Sequence, residues 1–363
     1  MLSGGKGMTA FSEIGPEPVI SVIVPSFNQG KYISNTLMSV LAQSYPHWEV
    51  IIQDACSTDE TETVCRRFAV LDSRIRFFRE KDKGFADGVN RGLARANGSI
   101  CAIQSSDDFY AGPDVFKKVS EAFRSNPGCA LVAGDFRMAD EAGLELESSP
   151  KTTVTSQAPA VRDIYRLAVT FPQGSTFFST ERARQIGGLN GKVDMVADTD
   201  FWIRMCACKP SLEGKVLRFQ EVWSYAIMHS EQRSTEATRF QIARAAMFRS
   251  FLRDEKMEID PGLRKSVFYA VLVDAFHGYL QKGLPTGDIR ELYLDVFQKE
   301  LPYLWRLKEW LMRYGPIRRL YFRNSQQEET AVYLRGGRMD DVRWFRDMKI
   351  PSISGMQIPN DGQ

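Results

Sequence analysis

The sequence predicts an α/β fold: a mostly parallel mixed sheet flanked by helices, with a helical C-terminal extension. Three observations carry that expectation. Short β-branched runs alternate with segments of helical spacing from residue 19 onward. Polar clusters stand where the strands end, the edge at which open α/β sheets bind ligands. From about residue 238 the strand pattern stops and helical spacing dominates.

Each element has its own signal. Residues 1–17 are Gly-rich and read as a flexible leader. Val19 to Pro25 is a β-branched run ended by proline, the pattern of a strand buried on both faces. After a turn at 26–30, Ile33, Leu37, Val40 and Leu41 give residues 31–43 a helical face. A second strand, 48–53, ends at Asp54. Ser57, Thr58 and Asp59 then start a helix that runs on through Val64 and Phe68. Residues 74–79 read as strand, 85–96 as helix, and 99–104 as a strand ending at Ser106-Asp107-Asp108. A helix follows Pro113 to about residue 125, and 129–133 is strand. The polar stretch 140–160 reads as a long loop near the active face. Strands are expected at 171–179 and 216–228, a short helix at 180–186 closed by Gly187-Gly188, and a helix at 199–208. Helices at 240–252 and 263–280 follow. The domain reading is 18–235 for the sheet domain, 236–350 for the helical region and 351–363 for a tail.

Composition narrows the function. The 363 residues are 43% hydrophobic and 25% charged, a globular mix. The formal net charge of +2 excludes a nucleic-acid binder that works by bulk charge. No apolar run approaches the ~20 residues that span a bilayer, and Met1 to Ala10 lacks the apolar core of a secretory signal. The cysteines at 56, 65, 101, 129, 206 and 208 have no framework spacing, which fits reduced thiols in a cytoplasmic protein.

The phosphate-loop, dinucleotide, zinc-protease and nucleophile-elbow motifs are absent, and three histidines do not make a histidine-rich metal site. Carboxylates remain. Asp107 and Asp108 are adjacent and repel, so the pair needs a cation or strong donors. Mg²⁺ or Mn²⁺ bridging a substrate diphosphate meets that need. A turn cap before Pro113 is the structural alternative.

Five blocks then make the resemblance specific. They are Ser21-Val-Ile-Val-Pro-Ser-Phe-Asn28, Ser39-Val-Leu-Ala-Gln-Ser-Tyr45, Asp54-Ala-Cys-Ser-Thr-Asp59, Glu80-Lys-Asp-Lys-Gly84 with Asn90-Arg-Gly92, and Ser105-Ser-Asp-Asp108. In this order, over roughly residues 19 to 230, they resemble the family 2 glycosyltransferases. Those are inverting enzymes of GT-A fold, a Rossmann-like sheet, that use nucleotide-diphospho-sugars. The resemblance implies that Pro25, Ser26, Phe27 and Asn28 line the nucleotide site. It implies that Asp54 accepts from the base and that Asp82 lies near the nucleoside. Asp107 would approach the ribose or the ion, and Asp108 would ligate the metal. The family often has Gly-Gly after the Asp of its second strand; Ala55-Cys56 stands here and leaves the base identity open.

Inversion needs a carboxylate that takes the acceptor hydroxyl proton from the side opposite the diphosphate. The stretch Gly187 to Asn190 followed by Val196 to Arg204 resembles the family's acceptor-side block, and Asp198 matches the base. Many members have an acidic residue just before it, where Ala197 stands. Asp194 and Asp200 are rivals, and a helix N-cap is the structural reading of Asp198. His229 matches a family histidine that reaches the metal or diphosphate; a histidine satisfied at a strand end is the alternative. Arg233 is a candidate for the leaving group, and Gln173-Gly174 for the acceptor pocket. The aromatic and basic stretch 301–322 either packs on the main domain or lies on an anionic membrane surface. The resulting expectation is a nucleotide-diphospho-sugar donor and a saccharide or lipid-linked saccharide acceptor, in a cytoplasmic protein with a place for peripheral membrane contact. A nucleotidyltransferase would want a Gly- and Lys/Arg-rich loop after the first strand, which residues 25–30 do not supply. A non-catalytic scaffold would not need Asp54, Asp107, Asp108 and Asp198 together.

Overall fold

A computed structural model describes residues 17–147, 158–209, 216–229 and 237–282, with backbone alone at 194, 237–239 and 273–282. The leader, most of the 140–160 loop's second half, Arg233, the stretch 301–322 and the tail lie outside the described residues, as does the side chain of Asp194.

Four parallel strands come first: β1 (Ile20–Ser26), β2 (Trp48–Asp54), β3 (Ile75–Arg79) and β4 (Ile100–Ile103). Helices α1 (Ile33–Leu41), α2 (Thr61–Leu71) and α3 (Phe85–Arg95) connect them. Ile20, Val22, Ile23 and Val24 have no exposed surface, because β1 lies between β2 and β4 and is covered on both faces. β5 (Phe109–Tyr110) and α4 (Val115–Ser125) follow, then β6 (Leu131–Ala139), α5 (Val161–Tyr165), β7 (Thr176–Ser179) and α6 (Thr180–Gln185). A tight turn at Gly191–Val196 leads into α7 (Ala197–Ala207), and β8 (Val216–Ile227) comes next. The eight strands form one sheet in the order β3-β2-β1-β4-β7-β6-β8-β5. β7 is antiparallel to β4 and β6, and β5 is antiparallel to β8.

The sheet cannot be flat. β7, β6 and β8 lie between β4 and β5, a gap of about 19 Å at ~4.8 Å per strand. The chain from Ile103 to Phe109 spans at most about 21 Å when extended, and it contains a turn in which Asp108 N–H donates to Ser105 O. The bend sits where β6 and β8 shift register, between Ala133 and Asp135. Gly134 is there, and the Trp223 ring occupies the space a Cβ would need. The curl carries the end of β8 back toward β4. A Cβ on Gly174 would lie 3.0 Å from Gln104 Oε1 and 3.2 Å from Ser224 Oγ. At the bend Asp135 is buried between Arg218 (3.2 Å) and Arg137 (3.1 Å).

Two sequence expectations change here. The strand expected at 129–133 covers Leu131–Ala139, and Asp135 within it is neutralised by Arg218 and Arg137. The strand expected at 171–179 begins only at Thr176, after a 3₁₀ turn over Gln173–Ser175.

α8 (Ala237–Leu252) and α9 (Pro261–Lys282) complete the described chain. Phe248 and Phe251 pack their rings on Tyr165 at 5.2 and 6.1 Å, and Glu258 N–H donates to Ala207 O. By its contacts the chain divides into 1–300 and 301–363, so α8 and α9 stand with the sheet. None of the six cysteines, all among the described residues, is in a disulfide. No helix among the described residues is long and apolar enough to cross a membrane.

Candidate active site

The carboxyl ends of β1 and β2 are stitched together. Asn28 sits in the left-handed region at φ 53°, and its N–H donates to Ser57 Oγ at 2.8 Å. Its side-chain Oδ1 accepts from Thr58 N–H at 2.9 Å. Gln29 N–H reaches Thr61 Oγ1 and Gly30 N–H reaches Asp59 Oδ2. Pro25 and Ser26 pair in register with Gln53 and Asp54. Phe27 is the exception to all this packing, with 56% of its surface exposed. Asp54 has no exposed surface, and its carboxylate accepts from the N–H and the hydroxyl of Ser57. In this structure the carboxylate holds the turn at Ser57, beside Asn28.

Asp82 stands at the entrance to α3, where its Oδ1 accepts from Gly84 N–H at 2.9 Å. A Cβ on Gly88 would lie 2.8 Å from Asp82 Oδ2 and 3.8 Å from Pro25 Cβ. Asp82 and Pro25 thus flank one point on α3, the nucleoside side of the expected site.

Asp107 and Asp108 follow β4. Asp107 Oδ2 lies 3.0 Å from His229 Nε2. His229 in turn stacks on Tyr32, with ring centres 4.6 Å apart at 21°. Asp108 Oδ1 accepts from Ile227 N–H at 3.2 Å. Burial, and then the charge of Asp107, push the Asp108 carboxyl up to about 8. A carboxyl raised in this way is relieved by a nearby cation. Among the described residues no three His, Cys, Asp or Glu side chains gather into a cage for an ion. Mg²⁺ and Mn²⁺ do not require one, since one or two carboxylates plus substrate phosphates suffice. The oxygen donors of the pair, with an imidazole beside them, fit such an ion.

α1 supports the backbone after the pair. Thr36 Oγ1 donates to Asp108 O at 2.7 Å, and Ser39 Oγ accepts from Tyr110 N–H at 3.1 Å. Just past the end of α1, Gln43 Nε2 donates to Gly112 O at 2.7 Å, and its Oε1 accepts from Phe116 N–H at 3.1 Å, capping α4 from the turn after α1.

Asp198 occupies the first turn of α7. The helix begins two residues before the expected start, and Val196 is at the cap position with no side-chain bond. Asp198 is therefore not the N-cap. Its Oδ1 accepts from Thr199 N–H at 2.7 Å, and burial raises its carboxyl above the ordinary range. The rival Asp200 has no exposed surface and is bound at 2.6 Å to Arg204. Arg204 also donates to the carbonyls of Ile186 and Gly188. Asp200 thus belongs to a buried structural pair. Gln173 Nε2 donates to Ser105 Oγ at 3.0 Å, beside the Asp pair.

A clasp joins the two sides. Asn90 of α3 accepts from Leu189 N–H at 2.8 Å and donates to Leu189 O at 2.9 Å. Gly188, at φ 69°, leaves Asn90 the space a Cβ would fill. The sequence signal for Asn90 lay in the Asn90-Arg-Gly92 block, without a role. Tyr32, Thr36 and Gln43 fall in the segment 31–43 read as a helix, without a role.

Residues 21–182 match the family described as Glycosyl transferase family 2. TuaG of Bacillus subtilis, named for teichuronic acid biosynthesis as a glycosyltransferase, is 36% identical over 132 residues, 36% of this chain and 52% of that protein. The chain spans about half the length of such relatives. The fold is similar to S. aureus TarS 1-349 in complex with UDP-GlcNAc, with a TM-score of 0.56 at 15% identity over 77% of this chain and 80% of that one. It is also similar to the mannosyltransferase PcManGT of Pyrobaculum calidifontis in complex with GDP-Man and Mn²⁺, with a TM-score of 0.52 at 19% identity over 87% and 86%. The match to glycosyl transferase family 2 takes in residues 21–182, less than half of the chain, and the fold is the GT-A fold.

Proposed function

We propose that the chain is an inverting, metal-dependent glycosyltransferase. It moves a sugar from a nucleotide-diphospho-sugar to an acceptor hydroxyl, in the assembly of a surface polysaccharide or glycoconjugate. The observation that carries this reading is the presence of two distinct carboxylate centres on one scaffold. Asp107-Asp108 with His229 stands at one, and the half-buried Asp198 at the other.

Pro25, Ser26 and Asn28 form the floor of the nucleotide site, with the exposed Phe27 ring offered to the base. Asp54 fixes the turn beside them, and Asp82 lies toward the nucleoside. Asp107 faces the ribose or the ion; Asp108 and His229 would hold Mg²⁺ or Mn²⁺. Such an ion, when bound, supplies positive charge against the leaving diphosphate. Asp198 accepts the proton of the acceptor hydroxyl as that oxygen bonds to the anomeric carbon and the bond to the diphosphate breaks. A carboxylate made more basic by burial is better matched to that work near neutral pH. A cytoplasmic location, with a lipid-linked acceptor met through residues 301–322, goes with this reading and is tested by co-sedimentation with anionic vesicles.

Thermal shift with uridine, guanosine, thymidine and cytidine diphosphates, with and without Mn²⁺, tests the donor site on wild type and Asp108→Ala. A Mn²⁺-dependent rise for one base, lost in the variant, is expected. No rise with any nucleotide would overturn the reading.

A further inference from the structure

His229 lies two residues past Ile227, the end of β8, beyond the part of the chain whose side-chain directions the sheet sets. Its side chain is nonetheless only 1% exposed. The imidazole meets the rest of the protein from two directions. Asp107 Oδ2 lies 3.0 Å from Nε2, and the Tyr32 ring covers one face, with centres 4.6 Å apart at 21°. We propose that Tyr32 is a positioning residue. Its ring fixes the plane of the His229 imidazole beside the Asp pair and so sets the affinity of the site for a divalent ion. The inference rests on the reading that Asp108 and His229 hold that ion, and names the residue that aims the imidazole.

The Tyr32 ring is anchored from its own end of the molecule. It stands at the cap position of α1, where its N–H donates to Gln29 O at 3.0 Å and its carbonyl accepts from Asn35 N–H at 2.9 Å. The residue is 6% exposed, and its hydroxyl accepts from Lys31 Nζ at 3.1 Å. A ring already held costs little further entropy when an imidazole settles on it.

The geometry of the contact suits a ligand. A stack uses the faces of the two rings, while the imidazole nitrogens lie on the edge, so the packing does not compete with ligation. One turn further along α1, Thr36 Oγ1 donates to Asp108 O at 2.7 Å. The same end of α1 thus reaches the imidazole through one residue and the Asp108 backbone through another, four positions apart. Without the stack the imidazole is free to turn away from Asp107. A site whose ligand holds the competent orientation only part of the time binds more weakly by that fraction.

Mn²⁺ is the probe, titrated into the full chain with UDP or GDP present, and the free ion is read by its EPR signal. Tyr32→Leu keeps apolar bulk and loses the ring, and is expected to raise the Mn²⁺ Kd about three- to tenfold. Tyr32→Phe keeps the ring and loses the hydroxyl, and is expected to stay within about twofold of wild type. His229→Ala is expected to weaken Mn²⁺ at least as much as Tyr32→Leu does. In the His229→Ala background Tyr32→Leu is expected to change nothing further, since the two substitutions remove one interaction. A packing role alone would lower Tm without producing that pattern.

An unchanged Kd in Tyr32→Leu overturns the inference and leaves the metal site standing. An equal loss with and without His229 overturns it, because the ring then acts elsewhere. A Phe variant as weak as the Leu variant overturns it in favour of the hydroxyl. A His229→Ala protein with normal Mn²⁺ binding overturns it and leaves Asp108 as the ligand. If wild type takes up no Mn²⁺ with either nucleotide, the metal-dependent reading fails and this inference falls with it. Should the Leu variant not fold, the stack is read directly by NMR. Histidine-selective labelling gives ring signals from His47, His229 and His277. The signal missing in His229→Ala is expected upfield of free histidine, shifted by the ring current of Tyr32, and retained in Tyr32→Phe. A signal at the free position means that the rings are not stacked, and overturns the inference.

Discussion

Replacing Gln43 by Met tests whether the end of α1 and the turn after it hold the backbone that follows the Asp pair. Gln43 is 8% exposed, and its amide serves three backbone groups: the carbonyls of Ser39 and Gly112 and the N–H of Phe116. Gln43→Met keeps the length of the side chain and removes both polar ends. Phe116 has no exposed surface, so its N–H is left buried without a partner, at about 1–3 kcal/mol. Ser39 and Gly112 are partly exposed, and water takes over at their carbonyls for about 0.5–1 kcal/mol in all. The expected loss is about 2–4 kcal/mol. Urea or guanidinium unfolding reads it as a lower midpoint at constant slope. Mn²⁺-dependent binding of the preferred nucleoside diphosphate, measured on the folded variant, is expected to weaken as well. A loss below ~1 kcal/mol would refute the bonding argument. A full loss of stability with unchanged binding would refute the claim that the end of α1 and the turn after it position the pair.

Three other substitutions separate chemistry from architecture. Asp198→Asn should reduce transfer by at least ~10²-fold and leave nucleotide binding intact. Because the folded protein raises the Asp198 carboxyl, it binds that proton more tightly than the unfolded chain does. The stability tied to the protonated group is complete below the unfolded value near 4 and is lost as pH rises through the folded one. Asp198→Asn should therefore raise Tm more at pH 7 than at pH 4, and equal changes at both would contradict the burial argument. Asp200→Asn breaks the buried pair with Arg204 and should cost about 3–5 kcal/mol. A stable Asp200→Asn protein with turnover selectively abolished would move the base from Asp198 to Asp200. Gly188→Ala places a Cβ on Asn90 at φ 69° and should cost about 1–2 kcal/mol for the backbone, with more from the disturbed clasp. An unaltered Tm would show that the clasp is soft.

Most of the parallel half of the sheet was legible because β1, β2 and β4 are buried on both faces and rich in apolar residues. The site carboxylates were legible because they sit where such runs end. What could not be read depends on partners far along the chain. β5 has two residues and exists only by pairing with Tyr225 and Ser224. α5 has five residues, directly after the polar stretch 140–160. The extension of β6 past Gly134 needs Arg218 to neutralise Asp135. Asp200 and Asp198 look alike in sequence, and only the Arg204 contact tells them apart. Nothing local in the sequence shows the bond from the Ser57 hydroxyl to Asp54.

The bonds that hold the Asp pair have a consequence for the order in which the protein can be made. β1 and β2 meet across fewer than thirty residues of chain. Asp108 waits for Ile227, 119 residues later, and Asp107 for His229, 122 residues later. A nascent chain can lay down its parallel strands early and still lack a finished site. A fragment ending at residue 182, where the family match stops, would keep both carboxylates and lose the strand that positions them. Ribosome-bound chains released before residue 229 would then be folded in part and unable to hold their ligand.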